Sequence, residues 1–308
     1  MIEVAFVRPN YPGEKRVALL PEDVGSVLEA GISPVIESGF GASLGIGDSE
    51  YVEAGARIAS RVEVFHVDVL FSLKLIQPID YPLLRDGHKV IGWMHPLGSG
   101  SNFYSEVVRP RNLQIVDLDS VYPRLYWCNA VVDLQFEPLH FFWKNSMYAG
   151  MASILLAERH MGLSTKVHDS VAVLGSGSVA QGAFAQLARI GFNPRMFYRK
   201  TLPIFYASLS DFDVIVNGIE IDGNGHILDE RQIRATQKHC LLIDAAADAG
   251  RSFEGTQYNT LEAPVSEVFG RRYLLVNNAP SLLFQEASRF ISKVLAGGVL
   301  RQSVSCLV

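Results

Sequence analysis

The segment Val171-Ala172-Val173-Leu174-Gly175-Ser176-Gly177-Ser178-Val179-Ala180 sets a G-x-G-x-x-A pattern directly after an apolar strand and at the head of a helix. Few folds accommodate that combination. Gly175 makes the tight turn, Gly177 lets backbone approach a pyrophosphate, and Ala180 permits close packing of helix on strand. The first helical residues, with Ser176, Ser178 and Val179, direct backbone N–H groups at a phosphate. Val179, Ala183, Leu187 and Ile190 then share one helical face, and Gly191 ends it. A glycine pattern alone also describes a tight turn in any doubly wound sheet. With strand, helix and position agreeing, dinucleotide binding is the expectation. About 20 residues further on, where NAD-binding units carry Asp or Glu for the ribose hydroxyls, stands Tyr198-Arg199-Lys200-Thr201. A guanidinium, an ammonium and a hydroxyl suit a 2′-phosphate, so the expected cofactor is NADPH. A solvated basic turn is the plain alternative.

That unit occupies only part of 308 residues, a length that fits two α/β domains. Strand patterns over 2–7, 35–37, 67–74 and 89–94 alternate with helical ones opened by Pro21 and over 48–54. A long helical stretch over 145–162 precedes a second alternating series, with strands over 170–174, 195–198, 213–217, 240–244 and 273–276. An amphipathic pattern returns after Ser281. The fold class expected is α/β, two Rossmann-like domains with parallel sheets and a cleft between them. A substrate domain would span 1–144, joined by the C-terminal helix 281–308, and a dinucleotide-binding domain 145–280.

Charged residues at 19% and hydrophobic ones at 48% exclude a disordered chain. A net charge of -5 with scattered Lys and Arg argues against nucleic acid, leaving small molecules as partners. Cys128, Cys240 and Cys306 lack the paired spacing of a disulfide framework or a zinc site, so no metal is expected. No run reaches membrane-spanning length and no leader opens the sequence, so the expectation is a cytoplasmic homo-oligomer without a membrane partner.

Arg16, Lys74 and His95 fall where strand ends should meet a ligand. Read alone, each has an ordinary use: a lone histidine is more often structural, and a lysine at a strand end more often reaches solvent. Their shared position at carboxyl ends of strands favours a common site.

The run Pro9-Asn10-Tyr11-Pro12-Gly13-Glu14-Lys15-Arg16-Val17-Ala18-Leu19-Leu20-Pro21 resembles the bacterial carboxyethylornithine synthase family. So do Ser72-Leu73-Lys74, Gly92-Trp93-Met94-His95-Pro96, Lys144-Asn145-Ser146, Met196 to Thr201, Asp244 to Gly250 and Asn277-Asn278-Ala279-Pro280-Ser281. The wider superfamily includes alanine dehydrogenase, saccharopine dehydrogenase and the nucleotide-binding part of transhydrogenase. The resemblance implies that Arg16 binds a 2-oxo acid carboxylate, that Lys74 and His95 exchange protons, and that Asp248 lies near the nicotinamide. It also implies cofactor contacts at Asn217, Gly218, Ile219 and Asn278. Asp248 as a turn residue and Asn278 as a helix cap are the structural alternatives. The implied reaction is NADPH-dependent condensation of a small 2-oxo acid with an amino acid amine through an imine. Where alanine dehydrogenases have two alternate lysines in the strand, this chain has Lys74 followed by Leu75 and Ile76. The rival readings are an alanine-type dehydrogenase and a transhydrogenase-like nucleotide-binding subunit.

Overall fold

The computed structural model describes residues 1–119, 122–136, 141–221 and 225–307. The chain divides into two compact units, Met1–Phe142 with Phe284–Val308, and Trp143–Leu283. Among the described residues no helix is long and apolar enough to cross a membrane.

The first unit is built on an eight-stranded sheet. Its strands are β1 (Ile2–Val7), β2 (Ile32–Glu37), β3 (Arg57–Ala59), β4 (Val69–Ser72), β5 (Lys89–Gly92), β6 (Gln114–Asp117), β7 (Arg124–Trp127) and β8 (Ala130–Asp133). The spatial order is β3-β2-β1-β4-β5-β6-β7-β8. Helices α1 (Pro21–Glu29), α2 (Asp48–Glu53), α3 (Arg61–Val64) and α4 (Ser101–Phe103) belong to the connections. The central strands are apolar runs without alternation: Val69, Leu70, Phe71 and Ser72 of β4 are all buried. Strands covered on both faces read this way. Val4 pairs with Val69, and Leu70 with Val90, so the carboxyl ends of β1, β4 and β5 fall level along one sheet edge.

Long helix α5 (Phe141–Met161) leads into the second unit, whose sheet runs β10-β9-β11-β12-β14-β13. These are β9 (Val171–Leu174), β10 (Arg195–Phe197), β11 (Val214–Asn217), β12 (Leu241–Asp244), β13 (Val265–Val268) and β14 (Arg271–Leu274), with α6 (Ser178–Arg189), α7 (Leu202–Ala207) and α8 (Glu230–Ala235). Helices α9 (Phe284–Val294) and α10 (Leu300–Ser305) close the chain and fall in the first unit.

Both sheets are mostly parallel, as expected of Rossmann-like domains, and three strands run antiparallel. β7 pairs antiparallel with β6, β8 with β7, and β13 with β14. Short links cannot hold a crossover helix, so the chain must double back. Between β13 and β14 the link is Phe269-Gly270, both at positive φ (48° and 75°). Such a pair has the twist a two-residue hairpin needs.

Candidate active site

In the first unit the loop from Arg8 to Leu20 leaves β1 and carries Arg16, whose side chain is almost wholly buried. Its Nε and Nη2 donate to the two carboxylate oxygens of Glu14 at 2.8 and 2.6 Å. Its guanidinium lies over the Trp93 ring, 5.3 Å from the centroid. A planar cation can stack on an indole and keep its in-plane donors for carboxylates. Burial pushes the Glu14 carboxyl up, but Arg16 and Lys74 together outweigh it and hold the group below its usual range. The ion pair therefore stays charged in the interior.

Lys74 follows β4, is only 8% exposed, and lies with Nζ 4.7 Å from the centroid of the Tyr11 ring. Burial, and next the Arg16 charge, push its ammonium down to about 8, against the opposing pull of Glu14 and Asp119. A lysine poised there gives and takes protons near neutral pH.

His95 follows β5. Gly92 makes the exit possible: a Cβ there would sit 1.8 Å from the Ser72 carbonyl oxygen. His95 itself has φ of 46°, a conformation side chains rarely adopt. Asp117, at the end of β6, holds this turn by accepting the Met94 and His95 N–H groups at 2.8 and 3.4 Å. Burial, and next the Asp119 charge, push the Asp117 carboxyl up to about 6. Asp119 then meets the His95 Nδ1 at 2.5 Å. Arg16, Lys74 and His95 thus come together at the carboxyl edge of one sheet. Glu14, Asp117 and Asp119 were missed from the sequence, where only the D-x-D spacing after a strand marked the last two.

In the second unit Gly175, Ser176, Gly177, Tyr198, Arg199, Gly218 and Ile219 line one cavity of about 260 Å³, together with Leu202, which the sequence reading had not singled out. Gly175 has φ of 104°. Gly218 faces the head of α6 so closely that a Cβ would lie 2.7 Å from the Ala180 nitrogen. Gly177 is the N-cap of α6, so Ser178 and Val179 supply its first N–H groups. Arg199 and Lys200 are exposed. The Thr201 hydroxyl closes the turn, accepting from the Tyr198 N–H at 3.0 Å and donating to the Tyr198 carbonyl at 3.1 Å.

Asn217 ends β11 beside the Gly218-Ile219 turn. It is fully buried; its Nδ2 donates to the Ile219 carbonyl, Asp244 Oδ1 and Ser252 Oγ, and its Oδ1 accepts the Ile219 N–H. The side chain is spent on shaping the Gly218-Ile219 turn. Asp244 is buried behind it, its carboxyl pushed up to about 6 by desolvation, and it accepts the Asp248 N–H at 3.1 Å. Asp248 Oδ2 is buried with no hydrogen-bond partner among the described residues, 3.7 Å from Arg251 Nε. Asn278 is buried, and its carbonyl accepts the Ser281 N–H at 3.0 Å.

Two mostly parallel sheets, one edged by buried cations and the other by a glycine cradle, put the chain in the Rossmann-like class of oxidoreductases. Residues 7–124 match the alanine dehydrogenase/PNT N-terminal domain family. A solved L-alanine dehydrogenase superposes with a TM-score of 0.76 at 19% identity, covering 97% of this chain and 89% of that one. Within the class, this chain is 43% identical over 297 residues to the N(5)-(carboxyethyl)ornithine synthase of Clostridium botulinum, covering 96% and 93% of the two chains. It is 42% identical over 306 residues to that of Lactococcus lactis, covering 99% and 96%. The chain belongs to the N(5)-(carboxyethyl)ornithine synthase family.

Proposed function

We propose that the protein condenses a small 2-oxo acid such as pyruvate with the amine of a basic amino acid and reduces the resulting imine, with NADPH as reductant. The observation that supports this most is the identity to carboxyethylornithine synthases over nearly the whole chain. The buried cationic edge of the first unit supports it independently, since an anionic carbonyl substrate suits Arg16 and Lys74. On this reading residues 1–144 with 281–308 form the substrate domain, and 145–280 the nucleotide domain.

Arg16, braced by Glu14, is the residue that takes the 2-oxo acid carboxylate. Lys74 donates a proton to the carbonyl oxygen as the amine adds, regains one from solvent, and donates it as the hydroxyl leaves as water to form the imine. Asp119 holds the Nδ1–H tautomer of His95, so Nε2 is the nitrogen that takes the proton released by the attacking amine. The second unit fits a dinucleotide by its own geometry. A Cβ at Gly175 or Gly218 would crowd neighbouring backbone, the head of α6 after Gly177 offers N–H groups to a pyrophosphate, and Arg199 and Lys200 suit a 2′-phosphate. Asp248 and Asn278 are assigned to the nicotinamide end. When bound, the nicotinamide supplies the hydride that reduces the imine carbon.

The test is a two-substrate requirement. NADPH oxidation should be slow with pyruvate alone or with pyruvate and ammonium, and should rise when ornithine or lysine is added at mildly alkaline pH. The attacking amine must be neutral, and an unperturbed lysine-type ammonium titrates near ~10.4. The product mass should equal amine plus oxo acid, less water, plus two hydrogens. Full activity with pyruvate and ammonium, giving alanine alone, would instead identify an alanine dehydrogenase.

A further inference from the structure

The residues that follow Arg16 are held from far along the chain. From Arg8 to Leu20 the chain forms neither strand nor helix, yet Val17 to Leu20 are buried, so their backbone N–H groups need partners. The N-cap of α1 is Leu20, which has no side-chain acceptor. Two serines one turn apart on α9 supply what is missing. Ser288 Oγ accepts the Val17 N–H at 2.8 Å while donating to the Phe284 carbonyl at 2.6 Å. Ser292 Oγ accepts the Leu20 N–H at 2.8 Å while donating to Asp23 Oδ2 at 2.5 Å.

Asp23 is the third residue of α1, where an acidic side chain ordinarily reaches back to the N-cap N–H. Here the Ser292 hydroxyl is inserted between the two, so the cap is completed by a residue 272 positions away along the chain. Both serines are fully buried. The Tyr51 hydroxyl fixes the same segment from another side by donating to the Leu19 carbonyl at 2.9 Å.

We propose that Ser288 and Ser292 are positioning residues for Arg16, acting on the substrate carboxylate by fixing the backbone of 17–20 that follows it in the chain. This rests on the reading of Arg16 as the carboxylate anchor. The serines touch neither substrate nor reacting atoms, and their effect reaches the reaction only through the placement of Arg16.

The experiment uses the full-length protein in four forms beside wild type: Ser288→Ala, Ser292→Ala, Arg16→Gln and Ser303→Ala. Ser303 is an equally buried serine in α10 that donates to the Val299 carbonyl, so it controls for the loss of a buried hydroxyl. Ser288→Ala and Ser292→Ala should each raise KM for the 2-oxo acid by roughly five-fold or more, because each leaves a buried N–H unsatisfied beside the anchor. KM for NADPH should stay within about two-fold, since the anchor segment and the cofactor cradle belong to different units. Amide exchange of a peptide spanning 15–21 should quicken in both variants and stay at the wild-type rate in Ser303→Ala. Ser288→Cys keeps the side-chain volume with a weak acceptor and gives the same readout should the alanine variant not fold. An unchanged oxo-acid KM in both serine variants, while Arg16→Gln raises it, would overturn the positioning role and leave the anchor standing. An unchanged KM in Arg16→Gln would remove the anchor and the positioning role with it. Equal losses for every substrate in Ser303→Ala and the two serine variants would reduce the serines to general packing.

Discussion

Lys74→Met should make the protein more stable while nearly abolishing its activity. The buried ammonium has its pKa pushed from 10.5 to about 8, first by desolvation and next by Arg16. At 1.36 kcal/mol for each pKa unit, the folded chain bears about 3 kcal/mol against the charged form. Below about pH 8 the lysine is protonated in both folded and unfolded chains, so this penalty is present in full. Between about 8 and 10.5 the folded lysine is neutral while the unfolded one still holds its proton, so wild-type stability climbs with pH. Above that range neither is charged and the penalty is gone. Methionine fills a similar volume without charge, and replacing buried ions by apolar groups is commonly stabilising. At pH 7 the melting temperature of Lys74→Met should therefore exceed wild type by roughly 5 °C, with the gap closing toward pH 10. Turnover should fall by about 100-fold because the proton donor is lost. Thermal melts at pH 7, 8.5 and 10, paired with NADPH oxidation, make the comparison. A variant that melts at or below wild type at pH 7, or that keeps normal turnover, would refute both the buried charge and its catalytic use.

Asp119→Asn should lower kcat by about 10-fold with little change in oxo-acid KM, because the amide no longer fixes the His95 tautomer; steady-state kinetics decide it. Arg199→Ala should weaken NADPH about 10-fold and leave NADH unaffected, since a charge-assisted contact to a phosphate contributes roughly 1.5 to 3 kcal/mol. Equal effects on both nucleotides in fluorescence titrations would place Arg199 away from the 2′-phosphate. Gly218→Ala sets a Cβ 2.7 Å from the Ala180 nitrogen, so the head of α6 must move; nucleotide affinity should drop at least about 10-fold.

The nucleotide unit was legible because its residues are forced by covalent geometry. Only glycine tolerates φ of 104° at Gly175, and such a demand is written in the residue type itself. The central strands were legible for a related reason: burial on both faces leaves an unbroken apolar run, as in β4 and β9. The hairpin of β7 and β8 carries no such mark. Every residue of β8 is exposed, so neither face imposes alternation, and an edge strand of four residues looks like loop. The carboxylates of the site were hidden differently. Glu14 and Asp119 matter through what they hold, and the partnership of Asp119 with His95 bridges loops after two separate strands. Ser288 and Ser292 lie further out of reach, because their acceptors face a segment more than 270 positions earlier. Asn217 shows the converse: a strand-end position that matches cofactor contacts in sequence is consumed here by the turn it supports.

The same charges that depress Lys74 imply when it recovers its proton. Arg16 and Lys74 share the buried edge with Glu14, and burial together with the Arg16 charge still outweighs Glu14 and Asp119 at Lys74, so the ammonium is short of counter-charge. A 2-oxo acid carboxylate held by Arg16 would add the missing anion. At ~6 Å and an effective dielectric of about 20, one more negative charge is worth a few kcal/mol to the ammonium. That is enough to keep Lys74 protonated into mildly alkaline pH. Above about pH 8, where the empty site leaves the lysine neutral, the proton donor would then form when its substrate arrives. The consequence is measurable, because kcat/KM reports the free protein and kcat the complex. In the condensing direction the limb that falls with rising pH should lie near 8 for kcat/KM of the oxo acid and at distinctly higher pH for kcat. Coincident limbs would mean that the bound carboxylate does not reach Lys74 and that Arg16 does not anchor it alongside.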